Sequence, residues 1–491
     1  MLPVPQLDPH AESPLYRQVY EHFLGLIRSG RLAPGDRLPA TRELAGLLGL
    51  NRTTVSAAYA LLESEGLVKG HVGRGSFVSG GTGATAQGLD WDRFLDDSDR
   101  QPGPSAPALS ADDIISFATS RPSEQLFPLE EFRSTCREVL TGASAASILQ
   151  LGSPGGYGPL REYLLAEARR AGLARAHDDI VITNGCQQAL DLLERVLVRP
   201  EDAVIVEDPV YPGLRNVFSR KARLIGVPVG GHGLDVEYLE RAVARERPRL
   251  LVVTPNFQNP TGTTLPPAAR HAVLRAARQS GAVLVENDIY GELRYEGEHV
   301  PPLKQLDDSG DVVLLRSFSK VAFPGLRVGW VTGPRTLVAR LEEAKQWTDL
   351  HTDQLSQAVL LRFAESGRLA AHRARIVAAG AERLAAALAA CERRLPEGAR
   401  FTRPEGGMNL WVRLPEPLDA AELLPRAQRE NVTYLPGRFF EVSRHDPGGL
   451  RLSFAGLAPD KIKIGIAILG DVFAKELEGS RAARHAQPAM V

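Results

Sequence analysis

The sequence predicts two folded units of different class: a small helical unit with a β-hairpin over residues 12–79, and a larger α/β unit over 112–475 built on a mainly parallel sheet. Three observations lead there. The stretches SGGTGATAQG (79–88) and DRQPGPSAPALSADD (99–113) hold few residues able to build a core, which marks a linker over 80–111. The first eighty residues place apolar side chains at helical spacing. From 112 onward, helical stretches alternate with short apolar runs, the pattern of a parallel sheet covered by helices.

Composition sets outer bounds. The chain has 491 residues, 43% of them hydrophobic and 24% charged, as in an ordinary globular protein. Its formal net charge is -1, so a nucleic-acid surface has to be local. Cys136, Cys186 and Cys391 are widely spaced and odd in number, which fits a reducing compartment and gives no CxxC metal site. The start MLPVPQLDPHAESPL lacks a basic region followed by an apolar core, and no apolar run reaches about 18 residues. A cytoplasmic protein is expected, with no membrane partner.

In the small unit, LYRQVYEHFLGLIRSG gives a first helix, with Leu15, Val19, Phe23, Leu26 and Ile27 inward and Gly30 as its stop. PATRELAGLLG gives a second, with Thr41 as expected N-cap and Gly49 as breaker. NRTTVSAAYALLESEG gives a third, capped by Asn51, with Val55, Tyr59 and Leu62 inward and Gly66 at its end. LVKGHVGRGSFVS then gives two strands around a Gly-rich tip. That order makes a winged helix-turn-helix. The third helix, the second of the helix-turn-helix pair, would present Arg52, Thr53 and Thr54 at its N-terminus, where arginine can read guanine edges and threonines with free N–H groups suit phosphate. Arg42 on the preceding helix and Arg74 in the wing extend the basic edge, and glycines such as Gly75 let the wing backbone enter a narrow groove. GRLAPGDRLPATRELAGLLGLNRTTVSAAYALLESEGLVKGHVGRGSFV closely resembles the GntR-type winged-helix regulators. The resemblance implies a double-stranded DNA operator contacted by Arg42, Arg52, Thr54 and the wing around Arg74 and Gly75.

In the large unit, DIVIT, AVIVED, RLLVVTP, AVLVEND, VVLLRS and RVGWVTG read as strands. The core α/β part is expected over roughly 150–335. A smaller part is expected from both flanks, with GMNLWVRL and GLRLSFA as strands, followed by a mobile tail at 476–491.

One motif raises a chemical question. RSFSKVAFPGLRVG (316–329) sets Lys320 behind Ser317 and Ser319, with Arg327 seven residues on. A lysine that forms a Schiff base needs an aldehyde partner, and pyridoxal 5'-phosphate (PLP) supplies one. That cofactor also needs a phosphate cup, partners for its ring nitrogen and phenolic oxygen, and a group over its ring. Ser317, Ser319 and Arg327 suit the phosphate. So does TNGCQQAL (183–190), where a helix opens after a strand and Gly185, Cys186 and Gln187 offer backbone N–H groups. Tyr211 in EDPVYPG suits the ring face, and Asn259 in NPTG and Tyr290 in NDIYGEL suit the phenolic oxygen. Arg451 in LRLSFA suits the carboxylate of an incoming amino acid.

Order and wording resemble the aminotransferase family of fold type I PLP enzymes over nearly the whole of 112–475, which implies these same roles, with Lys320 carrying the cofactor. A GntR-type head on such a domain resembles the MocR family of bacterial transcriptional regulators. That resemblance implies a head-to-tail homodimer with composite cofactor sites, and an amino acid or amine effector.

Two positions depart from the pattern. The aminotransferases usually have an aspartate three residues before the tyrosine, because a carboxylate keeps the pyridine nitrogen protonated. Here Asn287 falls in that place and Asp288 follows. Strand neighbours face opposite sides, so either Asn287 meets the ring or a bulge turns Asp288 inward; the register favours Asn287. Leu151 stands where relatives often carry a tyrosine reaching the partner subunit's phosphate. The sequence therefore supports a PLP-dependent regulator that senses an amine by Schiff-base exchange at Lys320. Two alternatives stand beside it: an aminotransferase carrying a DNA-binding head, and a DNA-binding protein whose large domain is a dimerisation scaffold.

Overall fold

The computed structural model describes residues 13–71, 75–79 and 114–486, with isolated positions before 13. The linker expected at 80–111, including its apolar LDWDRFLDD segment, and the wing residue Arg74 lie outside the described residues. The chain divides into two units, 1–101 and 102–491.

The first unit contains helices α1 (Leu15–Arg28), α2 (Thr41–Leu48) and α3 (Arg52–Ser64) and the hairpin β1 (Val68–His71) and β2 (Gly75–Val78). Val19, Phe23 and Leu26 of α1 meet Val55, Tyr59 and Leu62 of α3 in one buried core, with Phe23 edge-on to Tyr59 at 5.7 Å. The Tyr59 hydroxyl stays satisfied by donating to the Pro39 carbonyl at 2.8 Å. Asn51 caps α3 as its sequence indicates, its Oδ1 accepting the Thr53 N–H at 3.1 Å. Thr41 does not cap α2: it is already the first helical residue, the cap is Ala40, and no side chain bonds there. Gly49 closes α2 in the left-handed region (φ 64°). Gly75 is demanded at the wing, with φ +106° and Arg37 Nε 3.0 Å from where a Cβ would stand.

The second unit opens with β3 (Ile115–Ser116), α4 (Leu129–Thr141), α5 (Ala145–Ile148) and α6 (Gly158–Arg170). Next come β4 (Asp178–Thr183), α7 (Cys186–Leu197), β5 (Ala203–Asp208), α8 (Pro212–Phe218), β6 (Arg223–Gly230) and β7 (Gly233–Leu234). They are followed by α9 (Val236–Glu246), β8 (Leu250–Val253), α10 (Pro267–Ser280), β9 (Val283–Asn287), α11 (Leu303–Leu306), β10 (Val313–Ser317) and β11 (Gly329–Pro334). The strands form an eight-stranded sheet in the order β4-β11-β10-β9-β8-β5-β6-β7. Its central strands are parallel, and β11 runs against both neighbours. β6 was not among the strands expected from the sequence, because the proline and two glycines of RLIGVPVG mask its alternation.

Both faces are covered. Val204, Val206, Val252, Val285, Val313 and Leu315 pack on one face with Leu190 and Leu193 of α7, while Ile205, Leu251, Val253 and Leu284 pack on the other with α9 and α10. The remaining elements are α12 (Arg335–Asp349), α13 (Gln354–Glu365), α14 (Arg368–Arg394), β12 (Arg400–Phe401), β13 (Asn409–Arg413), α15 (Ala420–Arg429), β14 (Val432–Thr433), β15 (Leu435–Pro436), β16 (Gly449–Ser453) and α16 (Pro459–Ala486). β3 pairs with β14, and Phe117 joins the core of the smaller part, so the flanks of the unit do fold together. Part of the tail expected at 476–491 is helical: α16 runs to Ala486, and Leu477 is buried against that core. Arg481 to Ala486 hold no apolar pattern, and the helix continues there from the packed turns before it. Among the described residues, no helix is long and apolar enough to cross a membrane.

Candidate functional site

On the first unit, Arg42, Arg52 and Thr53 are exposed, Thr54 is half-buried, and neither arginine forms an ion pair among the described residues. The helix start is less open than its sequence indicates. Asn51 takes the Thr53 N–H through its side chain and the Thr54 N–H through its carbonyl. Side chains therefore do most of the reaching at this face.

On the second unit, the C-terminal ends of the central strands gather the other expected residues. β10 ends in a single 3-10 turn, Phe318–Lys320, which places Lys320 at the strand edge. Ser317 builds that turn: its hydroxyl accepts from the Ser319 N–H at 3.0 Å and donates to the Val328 carbonyl at 3.1 Å. Ser317 thus frames the loop, and Ser319, 3.0 Å away, receives Arg327 Nη1 at 3.3 Å. Arg327 itself sits at φ 55°, a strained conformation for a non-glycine residue, and its Nη2 reaches the Asn184 carbonyl at 3.4 Å. A Cβ on Gly185 would lie 2.4 Å from Arg327 Nη2, so only glycine permits this approach. The following helix α7 has no side-chain cap, which leaves the N–H groups of its first turn, from Cys186 and Gln187 onward, directed out of the helix start. The Cys186 thiol is no nucleophile here: burial pushes it up to about 12, and it lies 3.5 Å from the Arg316 carbonyl.

Lys320 Nζ donates to the Ser120 carbonyl at 2.7 Å and stands 5.7 Å from the Tyr290 ring centre. Burial, then the Arg451 guanidinium, bring its ammonium down to about 8. A lysine poised there is a nucleophile at neutral pH. Because the neutral amine is the reactive form, capture of PLP by cofactor-free protein should quicken roughly tenfold per pH unit up to about pH 8 and then level off. Stopped-flow absorbance measures this; a rate still climbing steeply at pH 10 would show an unperturbed lysine.

Asn259 Nδ2 donates to the Tyr290 hydroxyl at 3.4 Å, and Arg451 Nη1 donates to Asn259 Oδ1 at 3.0 Å. Arg451 also bonds the Ala118 carbonyl, yet its Nε has no partner and no carboxylate pairs with it among the described residues. Only 4% exposed, it lies over the Phe440 ring at 5.0 Å but has no anionic partner among the described residues, and burial lowers it to about 10. Tyr211, 38% exposed, is held by a bond from its hydroxyl to Gln187 Oε1 at 3.3 Å. Gln187 Nε2 meanwhile donates to the Gly213 carbonyl, so its side chain steadies Tyr211 and only its main chain remains for an anion.

The register settles which way Asn287 and Asp288 point. Asn287 pairs with Leu315, on the face that α7 covers. It is 4% exposed, its Nδ2 lies 3.5 Å from Thr254 Oγ1, and its Oδ1 has no partner. Asp288 emerges on the other face with both oxygens occupied, Oδ1 by Asn256 Nδ2 at 2.8 Å and Oδ2 by Arg316 Nη2 at 2.7 Å. No bulge turns Asp288 inward, because that ion pair holds it. Asp288 is thereby corrected from a possible cofactor ligand to a strut behind the strand.

Sequence reasoning missed several contributors. Ser120 holds Lys320 from a segment without any motif. Asp349 ties Asn184 (2.6 Å), Gln188 (2.7 Å) and Lys345 (2.9 Å) behind the helix start. Asn256 and Arg316 fix Asp288. Only the tertiary fold brings these positions together.

The pocket fits PLP by its own geometry: an uncapped helix start beside Arg327 and Ser319, a glycine at φ 77° where a Cβ would push the Arg327 guanidinium aside, an activated lysine, and an unpartnered Asn287 oxygen. The comparisons with known proteins agree. Residues 114–469 match the model described as aminotransferase class I and II, and residues 15–78 match the bacterial regulatory proteins of the gntR family. The solved structure of LysN, an alpha-aminoadipate aminotransferase from Thermus thermophilus complexed with N-(5'-phosphopyridoxyl)-L-leucine, is 36% identical. It covers 75% of this chain and 94% of its own, with a TM-score of 0.70. Fold and site thus define a class: a helix-turn-helix DNA-binding head joined to a PLP-binding domain of aminotransferase fold. The probable rhizopine catabolism regulatory protein MocR of Rhizobium meliloti is 31% identical over 95% of both chains, and the HTH-type transcriptional regulator TauR of Rhodobacter capsulatus is 31% identical over 94% of this chain and 97% of its own. The chain belongs to the MocR family of GntR-type transcriptional regulators.

Proposed function

We propose that this regulator senses an amino acid at Lys320 and converts its arrival into a change in how the head binds an operator. The observation that carries the reading is Arg451: a buried guanidinium with no acidic partner, in the pocket that holds the activated Lys320. An α-carboxylate would complete it, which makes a carboxylate-bearing effector a better fit than a plain amine. When bound, PLP supplies an aldehyde that forms a Schiff base with Lys320 and can exchange that amine for another.

The chain's own residues define the rest. Ser319, Arg327 and the α7 start would hold the phosphate. Asn259 and Tyr290 would meet the phenolic oxygen, and Tyr211 would lie over the ring. Asn287 would meet the ring nitrogen with an amide in place of a carboxylate. An amide cannot compensate a pyridinium charge, so the site favours exchange over turnover. Regulation then requires an effector that binds the two arrangements of the domains with different affinity.

DNA binding by the full chain is to be titrated without PLP, with PLP, and with PLP plus a panel of amino acids and their decarboxylated amines. A carboxylate effector should shift operator affinity at a concentration tenfold or more below that of its amine. If neither the cofactor nor any amino compound alters DNA binding, sensing is wrong; sustained keto-acid production would favour the aminotransferase alternative.

We also propose a homodimer whose interface borders the cofactor pocket. Trp347 (82%), Leu151 (73%), Leu149 (68%) and Leu350 (58%) are exposed, an unusual apolar group for a surface. The two segments adjoin, since Gln354 Nε2 donates to the carbonyls of Ile148 and Gln150. Asp349 beside them bonds Asn184 and Gln188 behind the phosphate cup, which suits a composite site. A Trp347→Glu variant should weaken the dimer a hundredfold or more in sedimentation equilibrium, the effect of losing an aromatic anchor. Unchanged self-association would place the interface elsewhere.

A further inference from the structure

Asn409 is 1% exposed, yet both ends of its side-chain amide lack a hydrogen-bond partner among the described residues. It opens β13 opposite Ser453 of β16, and two residues along the same strands Trp411 stands opposite Arg451. Leu410, Val412, Leu450 and Leu452 alternate with these four and are buried in the core of the smaller part. Asn409 therefore projects from the other face, the one from which Arg451 enters the cofactor pocket. Diagonal neighbours on one face lie about 7–8 Å apart, a distance that one bound amino acid spans.

Its surroundings place the amide at that pocket. The loop that carries Asn259 folds over the start of β13: Gly262, at φ +73°, comes so close that a Cβ there would strike the Asn409 carbonyl. Asn259 itself donates to the Tyr290 hydroxyl and accepts from Arg451. Ser120, whose carbonyl accepts from Lys320 Nζ, keeps a buried hydroxyl that also has no partner. Burial raises the Tyr290 phenol, and Ser120, Asn259 and Asn409 offset part of that rise, though among them only Asn259 is aligned to bond its hydroxyl.

A buried amide with neither donor nor acceptor facing it is costly, and a ligand that supplies both removes the cost. With its amine at Lys320 and its carboxylate at Arg451, an effector has its side chain left for Asn409. That residue offers one NH2 donor and one carbonyl acceptor. A carboxamide answers both at once. A carboxylate answers only the donor, and an alkyl group answers neither. We propose that Asn409, with the Ser120 hydroxyl beside it, reads the effector's side chain and selects an α-amino acid that ends in a neutral carboxamide. This rests on the reading of the pocket as an amino-acid sensor and names the class of amino acid it takes.

The test titrates the full chain loaded with PLP with two matched sets, glutamine against glutamate, and asparagine against aspartate and leucine, which nearly share its shape. The visible absorption of the bound cofactor reports occupancy. In at least one set the amide should bind tenfold or more tighter than its partners, the worth of one neutral hydrogen bond. Asn409→Leu keeps the volume and loses both hydrogen-bonding groups, so that preference should fall about tenfold while PLP still binds. Asn409→Ala carries the same expectation should the leucine variant not fold. If no amino acid of either set changes the spectrum, the sensing reading falls and the proposal with it. If amino acids bind but the amides have no advantage, or if the advantage survives in both Asn409 variants, sensing stands and the role of Asn409 alone is overturned.

Discussion

A Lys320→Ala protein is expected to lose the visible absorption of bound PLP, and with it any change in DNA binding on addition of an amino acid. The loss should be complete, because one amine forms the covalent link and no other lysine is placed beside it: Lys304 pairs with Asp178 and Lys345 with Asp349. The fold should survive the change. Lys320 is an amine confined near the Arg451 guanidinium, and burial and that neighbour already disfavour its charge, so removing it relieves repulsion as it opens a small void. The mutant should unfold within a few degrees of the parent and match the cofactor-free parent in DNA binding. Spectra and DNA titration on the same preparation check both halves. An effector response that persists in Lys320→Ala would mean that the signal enters by another route.

The second large effect is expected from Asn287→Asp. A carboxylate there would lose the present Nδ2 contact to Thr254 Oγ1 at 3.5 Å, and would set a full negative charge against the ring nitrogen. In cofactor-free protein that charge is buried without a partner, and stability should fall by about 1–3 kcal/mol. With PLP bound the pyridinium compensates it, so the penalty should shrink on loading. Keto-acid release from an amino acid should rise on the order of a hundredfold, the scale of one preorganised electrostatic partner. Thermal unfolding with and without PLP, together with a keto-acid assay, reads all three effects. If Asn287→Asp binds PLP yet releases no more keto acid than the parent, the amide is not what restrains turnover.

Much of this molecule is legible in its sequence because the signals are local. Helical spacing in α1 and α3, the Asn51 cap and the Gly-rich wing fix the head within one continuous stretch of chain. Alternation of helices and apolar strands gives the class of the large unit. Lys320, Arg327, Gly185, Asn259 and Tyr290 each stand in a motif whose chemistry is readable residue by residue. The errors were also local. Thr41 belongs inside its helix, a difference of one position at a helix end, and the polar tail after Leu477 stays helical through Ala486 because a packed helix propagates past its last anchored turn.

What the sequence by itself determined is the pair of units and the inventory of groups for DNA and for PLP. What only the tertiary structure decided is which of those groups are free to act. Ser317 spends its hydroxyl on a turn, Gln187 on Tyr211 and Asp288 on Arg316, while Arg451 and Asn287 are left with unpartnered atoms. The partners come from 11 to 333 positions away in the chain, and no local pattern encodes them. A side chain's chemistry belongs to its residue type, but its availability depends on every polar group that folding brings within hydrogen-bond reach, and that is settled only when the strands align.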